Sequence, residues 1–154
     1  MMDATQRLTA VDAIRTLKAR FFLAVDGKDW ETYASLFTED ARFEVGGAFV
    51  DEQGGEAVEG LKGSETVVGG LAMAERVARL LDGATTVHLG ATPLIDVTSD
   101  REACAVWPVE DWLWFAEGTG PPVVHGFGRY DERYVVTDKG WRIAEMRYTR
   151  TRLA

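Results

Sequence analysis

RFFLAVDGKDWETYASLFTEDARFEV, residues 20–45, ends one helix, turns a corner at Asp26-Gly27-Lys28, begins a second helix and then changes to strand texture. Upstream, Val11, Ile14, Leu17, Phe21 and Val25 recur at helical spacing, which buries one face of a first helix. Thr9 is its expected N-cap, with Asp12 three residues on, and Arg15, Lys18 and Arg20 are expected to stay wet. Gly27 breaks that helix, and Asp29 can cap a second, WETYASLF, whose inward face is Trp30, Tyr33 and Phe37. TEDARFEVG then reads as a short strand.

Moving outward, FVDEQGGEAVEGLKG is rich in Gly and acid and reads as a loose hairpin or loop, the most mobile stretch expected. Ser64-Glu65-Thr66 opens a third helix, ETVVGGLAMAERVARLLD, with Val67, Leu71, Ala74 and Val77 on one face; Gly69 and Gly70 weaken it and allow close helix-on-sheet packing. From Thr85 the texture is β: TTVHLGATPLIDVTS, ACAVWPVEDWLWFAEG, VVHGFGRYDERYVVT and GWRIAEMRYTRTRL. Ser99-Asp100, Gly118-Thr119-Gly120 and Asp138-Lys139-Gly140 supply the turns, and Pro93 and Pro108 fit only at bulges or edges. Helices first and sheet afterwards is the α+β order, expected here as one domain over residues 1–154 with a curved antiparallel or mixed sheet wrapping three helices around a cavity.

A net charge of −8 and a pI near 4.8 set nucleic acid aside, because such binding draws on clustered Lys and Arg. Arg142, Arg147, Arg150 and Arg152 sit among apolar residues in a strand-like segment, where they read first as pocket or interface groups. Cys104, the single cysteine, permits neither an internal disulfide nor a multi-cysteine zinc site, and with no basic neighbour it reads as a small buried residue. Without an HExxH motif or clustered carboxylates no metal is expected. The start, MMDATQRLTAVD, lacks signal-peptide features and no apolar run reaches membrane length, so a cytoplasmic protein is expected.

The segment 20–45, with TVHLGATPLIDV, AVWPVEDWLWF and GFGRYDERYVVTDKGWRIAEMRYTRTRL, resembles the SnoaL-like family of the nuclear-transport-factor-2-like superfamily, which holds polyketide cyclases and relatives of scytalone dehydratase and bile-acid 7α-dehydratase. The resemblance spans nearly the whole chain and implies a cone-shaped α+β barrel, a homodimer or homotrimer, and catalysis without a cofactor in enzymatic members. By position, Asp26 resembles the helix Asp and His88 the strand His of the dehydratases, and Asp111 the second acid of the bile-acid enzyme. Phe21 stands where those enzymes carry a Tyr.

His88 lies mid-strand, where an imidazole can take a proton near neutral pH and deliver it elsewhere, and a carboxylate such as Asp26 on one ring nitrogen would fix its tautomer. The bland alternative is a core His bonded to a backbone carbonyl. Asp26 is i+4 from Phe22 and so shares a helix stripe with an aromatic residue; its own alternative is a cap facing water. Strand alternation puts Trp107, Val109, Asp111 and Leu113 on one side and Pro108, Glu110, Trp112 and Trp114 on the other; a bulge at Pro108 would bring Glu110 inward instead of Asp111. Whichever acid faces in needs Arg or His, or else a proton. Phe22, Trp107, His125, Tyr130 and Arg147 are the candidate substrate contacts, with Tyr148 and Arg150 as alternatives to the last two.

These residues lead to an expected cofactor-independent lyase, dehydratase, isomerase or cyclase acting on a small hydrophobic ring carbonyl compound such as a polyketide, steroid or terpenoid. His88 would be the base, Asp26 its support, and Asp111 or a Tyr the acid. The competing expectation is a non-catalytic protein that holds a hydrophobic ligand, or assembles, on the same fold.

Overall fold

Asp3, not Thr9, starts the first helix: its carboxylate accepts from the Gln6 N–H while the Gln6 side chain accepts from the Asp3 N–H, a reciprocal capping box. Thr9 lies inside the helix and turns its hydroxyl back to the Thr5 carbonyl. The computed structural model of the chain describes residues 2–44, 66–119 and 122–154. The expected loop at 49–63 and the opening Ser64-Glu65 of the third helix lie outside the described residues.

Helix α1 (Ala4–Gly27) leads at the 26–28 corner into α2 (Trp30–Ser35), capped as expected by Asp29, which accepts from the Thr32 N–H. Strand β1 (Phe37–Glu44) follows. Thr66–Val68, expected to be helical, is strand β2, antiparallel to β1. Thr66, Val67 and Val68 are β-branched and favour that pairing. Helix α3 is correspondingly shorter (Gly70–Leu80) and starts at Gly69 without a side-chain cap. Gly70 does allow close packing, against α2 and β1: a Cβ there would sit 2.6 Å from the Ala34 carbonyl oxygen and 2.9 Å from Phe37 Cβ.

The β half comprises β3 (Thr85–Gly90), β4 (Leu94–Val97), β5 (Glu102–Trp114), β6 (Val124–Thr137) and β7 (Gly140–Leu153). With β1 and β2 they form one sheet in the order β2-β1-β7-β6-β5-β3, with β4 also paired to β5. The β1–β7 pair is parallel and the others antiparallel. The sheet is curved and mixed but does not close on itself, and the helices pack on one face. Pro108 falls between the parts of β5 that pair with β4 and with β3, an interruption that tolerates a residue lacking an N–H. Among the described residues, no helix is long and apolar enough to cross a membrane.

Between α1 and the sheet lies a core of Ile14, Leu17, Phe21, Tyr33, Phe43, Tyr134 and Ile143, all buried. Lys18, expected in water, is buried among them at 0% exposure. One turn after Ile14, it lies on the inward stripe, and its Nζ meets Glu132 Oε1 of β6 at 2.5 Å. The Tyr134 hydroxyl donates to the other Glu132 oxygen, and the Trp107 indole donates to Tyr134 at 2.9 Å. The ammonium also lies 3.9 Å from the Phe21 ring centre and 3.7 Å from that of Tyr130. Burial pulls its pKa down to about 8, and Glu132 offsets only part of that pull. Cys104, by contrast, is exposed. Ala103 and Ala105 take the inward positions of β5, so alternation turns the thiol outward.

Removing one member of a buried ion pair strands the other in low dielectric, at a cost of about 3–5 kcal/mol. Lys18→Met should therefore destabilise the chain by about that much in urea unfolding. Lys18→Met combined with Glu132→Leu should recover a substantial part of the loss.

Candidate active site

Asp26, in the last turn of α1, meets β3 through three donors. The Thr86 hydroxyl donates to Oδ1 at 2.8 Å, the His88 N–H donates to Oδ2 at 2.9 Å, and His88 Nδ1 lies 2.7 Å from Oδ1. Burial alone would raise the Asp26 pKa. The hydrogen bonds from the His88 ring and backbone, the charge of His88 and the Thr86 hydroxyl together hold it below its ordinary 3.8. The bland alternatives fall away on geometry: His88 bonds to a carboxylate instead of a carbonyl, and Asp26 faces the strand. With Nδ1 bonded to Asp26, Nε2 is the ring nitrogen left for chemistry. Phe22 stacks over the imidazole at 6.3 Å between ring centres, with an 18° tilt.

His88 and Asp111 are directly opposite in the β3–β5 register, so both side chains rise from the same face of the sheet. Asp111 is the inward acid, and no bulge exchanges it with Glu110. Its Oδ2 accepts from the Tyr148 hydroxyl at 2.7 Å and its Oδ1 from Arg150 at 2.8 Å, with the Arg150 and Asp111 side chains only 2% and 3% exposed. Two glycines of β6 make this room. A Cβ at Gly126 would lie 1.3 Å from an Arg150 terminal nitrogen, and one at Gly128 would lie 2.9 Å from the Tyr148 hydroxyl.

His88, Asp111, Tyr130, Tyr148 and Arg150 line one pocket of about 80 Å³, walled otherwise by Tyr33, Glu44 and apolar residues such as Phe21, Leu113 and, from α3, Val77 and Leu80. Burial raises the pKa of Tyr130 well above its ordinary value and also raises that of Tyr148, so each phenol is a proton donor. Tyr148 spends its hydroxyl on Asp111; Tyr130 has no hydrogen-bond partner among the described residues.

The other candidates divide. Tyr130 is in the pocket, and Phe22 supports His88 from the side. Trp107 faces inward but belongs to the Lys18–Glu132 network instead of the pocket wall. His125 does not join: it pairs in register with Trp112 on the opposite face, stacks on it at 3.5 Å and bonds Glu110 at 2.7 Å. Arg147 is exposed and bonds Glu44 of β1; Arg150, with the same parity on β7 as Tyr148, is the arginine turned inward. Tyr148, an expected alternative to Tyr130, bonds Asp111, and Thr86 completes the Asp26 contacts without being foreseen. Thr86 is two residues before His88, a spacing that puts both on one face. Among the described residues, no three of His, Cys, Asp and Glu gather to hold a metal ion.

The family model described as a SnoaL-like domain matches residues 6–147. The chain belongs to the SnoaL-like family. Its fold is also that of solved structures of low identity. The hexachlorocyclohexane dehydrochlorinase LinA-type3 from Novosphingobium barchaimii is 17% identical with a TM-score of 0.75, over 99% of this chain and 93% of that one. A candidate scytalone dehydratase from Novosphingobium aromaticivorans is 18% identical with a TM-score of 0.79, over 99% and 91%. A protein of unknown function from Mycobacterium tuberculosis is 26% identical with a TM-score of 0.68, over 94% and 77%.

Two outcomes follow for this SnoaL-like chain. Because the folded-state pKa of Asp26 lies below the unfolded one, the unfolded state binds more protons as pH falls through 3.8, and stability falls with it. Urea midpoints of the wild type and Asp26→Asn should differ at pH 6 and converge as pH drops below that value. Gly126→Ala should evict Arg150 from Asp111 and destabilise by about 1–3 kcal/mol, through overpacking and a stranded carboxylate. A Tm that does not move would mean the guanidinium has another resting place.

Proposed function

We propose that this chain is a cofactor-independent acid–base enzyme, a lyase of the dehydratase kind or an isomerase, acting on a small, uncharged, mostly apolar ring carbonyl compound of polyketide, steroid or terpenoid character. The observation that carries this reading is the Asp26–His88 pair opening onto the same apolar pocket as Asp111, Arg150 and an unspent Tyr130 hydroxyl. His88 Nε2 removes a proton from the carbon beside the carbonyl, and the electron pair moves to the carbonyl oxygen. Asp26 takes the Nδ1–H bond and stabilises the imidazolium that forms. Tyr130 donates to the enolate oxygen. The proton on Nε2 then leaves with a hydroxyl as water, or returns to another carbon, which gives elimination or isomerisation from one arrangement.

The acid role expected of Asp111 moves to Tyr130 in this scheme, since both Asp111 oxygens already accept hydrogen bonds. The ion pair it makes with Arg150 leaves that side of the pocket electrically balanced and suited to a neutral guest. The dehydrochlorinase and dehydratase names of the similar structures are both eliminations, which favours the lyase branch. The second reading, a protein that only holds an apolar ligand, draws on Phe21 in the place of a catalytic Tyr. A homodimer or homotrimer in the cytoplasm belongs to the same proposal.

The test is exchange of solvent deuterium into the carbon next to the carbonyl across a panel of cyclic ketones and hydroxyketones, followed by NMR. The wild type should catalyse it, His88→Ala should lose on the order of a hundredfold or more, and Tyr130→Phe should lose on the order of tenfold or more. Equal exchange by wild type and His88→Ala would remove His88 from the chemistry. A rise in Tm with a panel member that never exchanges would favour the binding protein.

A further inference from the structure

Behind the Asp26–His88 pair stands a third charged group. Lys28 Nζ donates to the Thr86 hydroxyl oxygen at 2.8 Å and to the Val25 carbonyl at 3.2 Å. Thr86 in turn donates to the Asp26 oxygen that also faces His88 Nδ1. The direction of this chain is forced. An ammonium has donors and no lone pair, so the Thr86 oxygen must accept from it, and its only proton must go to Asp26. Asp26 Oδ1 is then an acceptor on both sides. That places the ring proton of His88 on Nδ1 and leaves Nε2 bare for the pocket.

The backbone carries a second, independent mark. Lys28 is the one non-glycine residue with positive φ among the described residues, at φ 59° and ψ 28°. That left-handed position after a helix ordinarily belongs to glycine, and Gly27 stands one residue too early to take it. An L residue with a long charged side chain is strained there, and such outliers gather where the side chain is used.

We infer that Lys28, acting through Thr86, is a positioning residue of the Asp26–His88 pair: it fixes the tautomer of His88 and keeps the imidazole from holding its proton too tightly to work as a base. The inference rests on reading His88 as the base. A carboxylate alone stabilises the imidazolium and draws the ring toward permanent protonation; a cation two hydrogen bonds away opposes that pull. The other charged or titratable groups around the pocket are Tyr33 of α2, Asp111 of β5, Tyr130 of β6, Tyr148 and Arg150 of β7, and Glu44 of β1. Asp111 is balanced by Arg150 and Glu44 bonds Arg147, so Lys28 is the cation acting on the pair through Asp26. Its own titration carries the mark of the contact: burial lowers the Lys28 pKa, and Asp26 offsets part of the fall.

The chain has 2 histidines, which makes the test direct. Imidazole nitrogen NMR titrations of the full chain follow His88, while His125, bonded to Glu110 on the opposite face, serves as internal reference. Lys28→Met, Lys28→Gly and Thr86→Val should each raise the His88 midpoint by about 0.5–1 pH unit, while His125 stays fixed. The Lys28→Gly, Thr86→Val double variant should move it no further than either single change. Thr86→Ser, which keeps the hydroxyl, should titrate like the wild type. Lys28→Gly relieves the left-handed strain, so its Tm should hold or rise, which separates lost charge from lost structure; if Thr86→Val does not fold, the two Lys28 variants decide alone. A His88 midpoint that stays at the wild-type value in both Lys28 variants would overturn the inference. No substrate enters these titrations, so that failure would leave the base role standing, whereas equal deuterium exchange by His88→Ala would end the base role and leave the titration coupling intact.

Discussion

A carboxylate at the wrong end of a helix organises this molecule. The last turn of α1 carries the negative end of the helix dipole, where an Asp is disfavoured. Asp26 sits there because β3 offers it a hydroxyl, a backbone N–H and an imidazole within 3 Å. The same helix stripe, two turns earlier, places Lys18 on Glu132 of β6. Phe22 lies between them and stacks on His88. Two charged contacts on one stripe, to two different strands, fix both the rotation and the slide of α1 across the sheet. Every distance in the pocket inherits that placement.

Much of this was legible because it is local. The Asp26-Gly27-Lys28 corner, the Asp29 cap and the alternation that turns Asp111 inward each depend on residues a few positions apart, and each stands in the structure. What escaped depends on distant partners. Lys18 reads as wet because its charge is visible and Glu132, 114 residues away, is not. His125 reads as a pocket candidate because its strand alternates, but its face is chosen by cross-strand register with Trp112, which no single strand reveals. The same parity question separated Arg147 from Arg150. The third helix lost its first turn to a pairing between Thr66–Val68 and β1, a case of sheet context overriding a helical pattern.

The pocket also depends on side chains that are missing. Arg150 and Tyr148 reach Asp111 only through space left by Gly126 and Gly128. A search for chemistry naturally looks for His, Asp and Arg, yet here two of the residues that decide whether a guanidinium can enter have no side chain at all. Membership of the SnoaL-like family gives the frame; the charge arrangement inside it belongs to these particular residues.

The volume of that pocket has a consequence for how a ligand meets it. About 80 Å³ is roughly half the volume of an engineered apolar cavity, about 150 Å³, that takes up benzene. Under the proposed function a ring-sized guest would need more room than this, and Val77 and Leu80 of α3, which form part of the wall, are the side chains whose displacement would supply it. Its apparent affinity would then be the intrinsic one scaled down by the fraction of molecules so opened. Substitutions at Val77 and Leu80 would then change how readily a guest enters while leaving the Asp26–His88 and Asp111–Arg150 contacts in place.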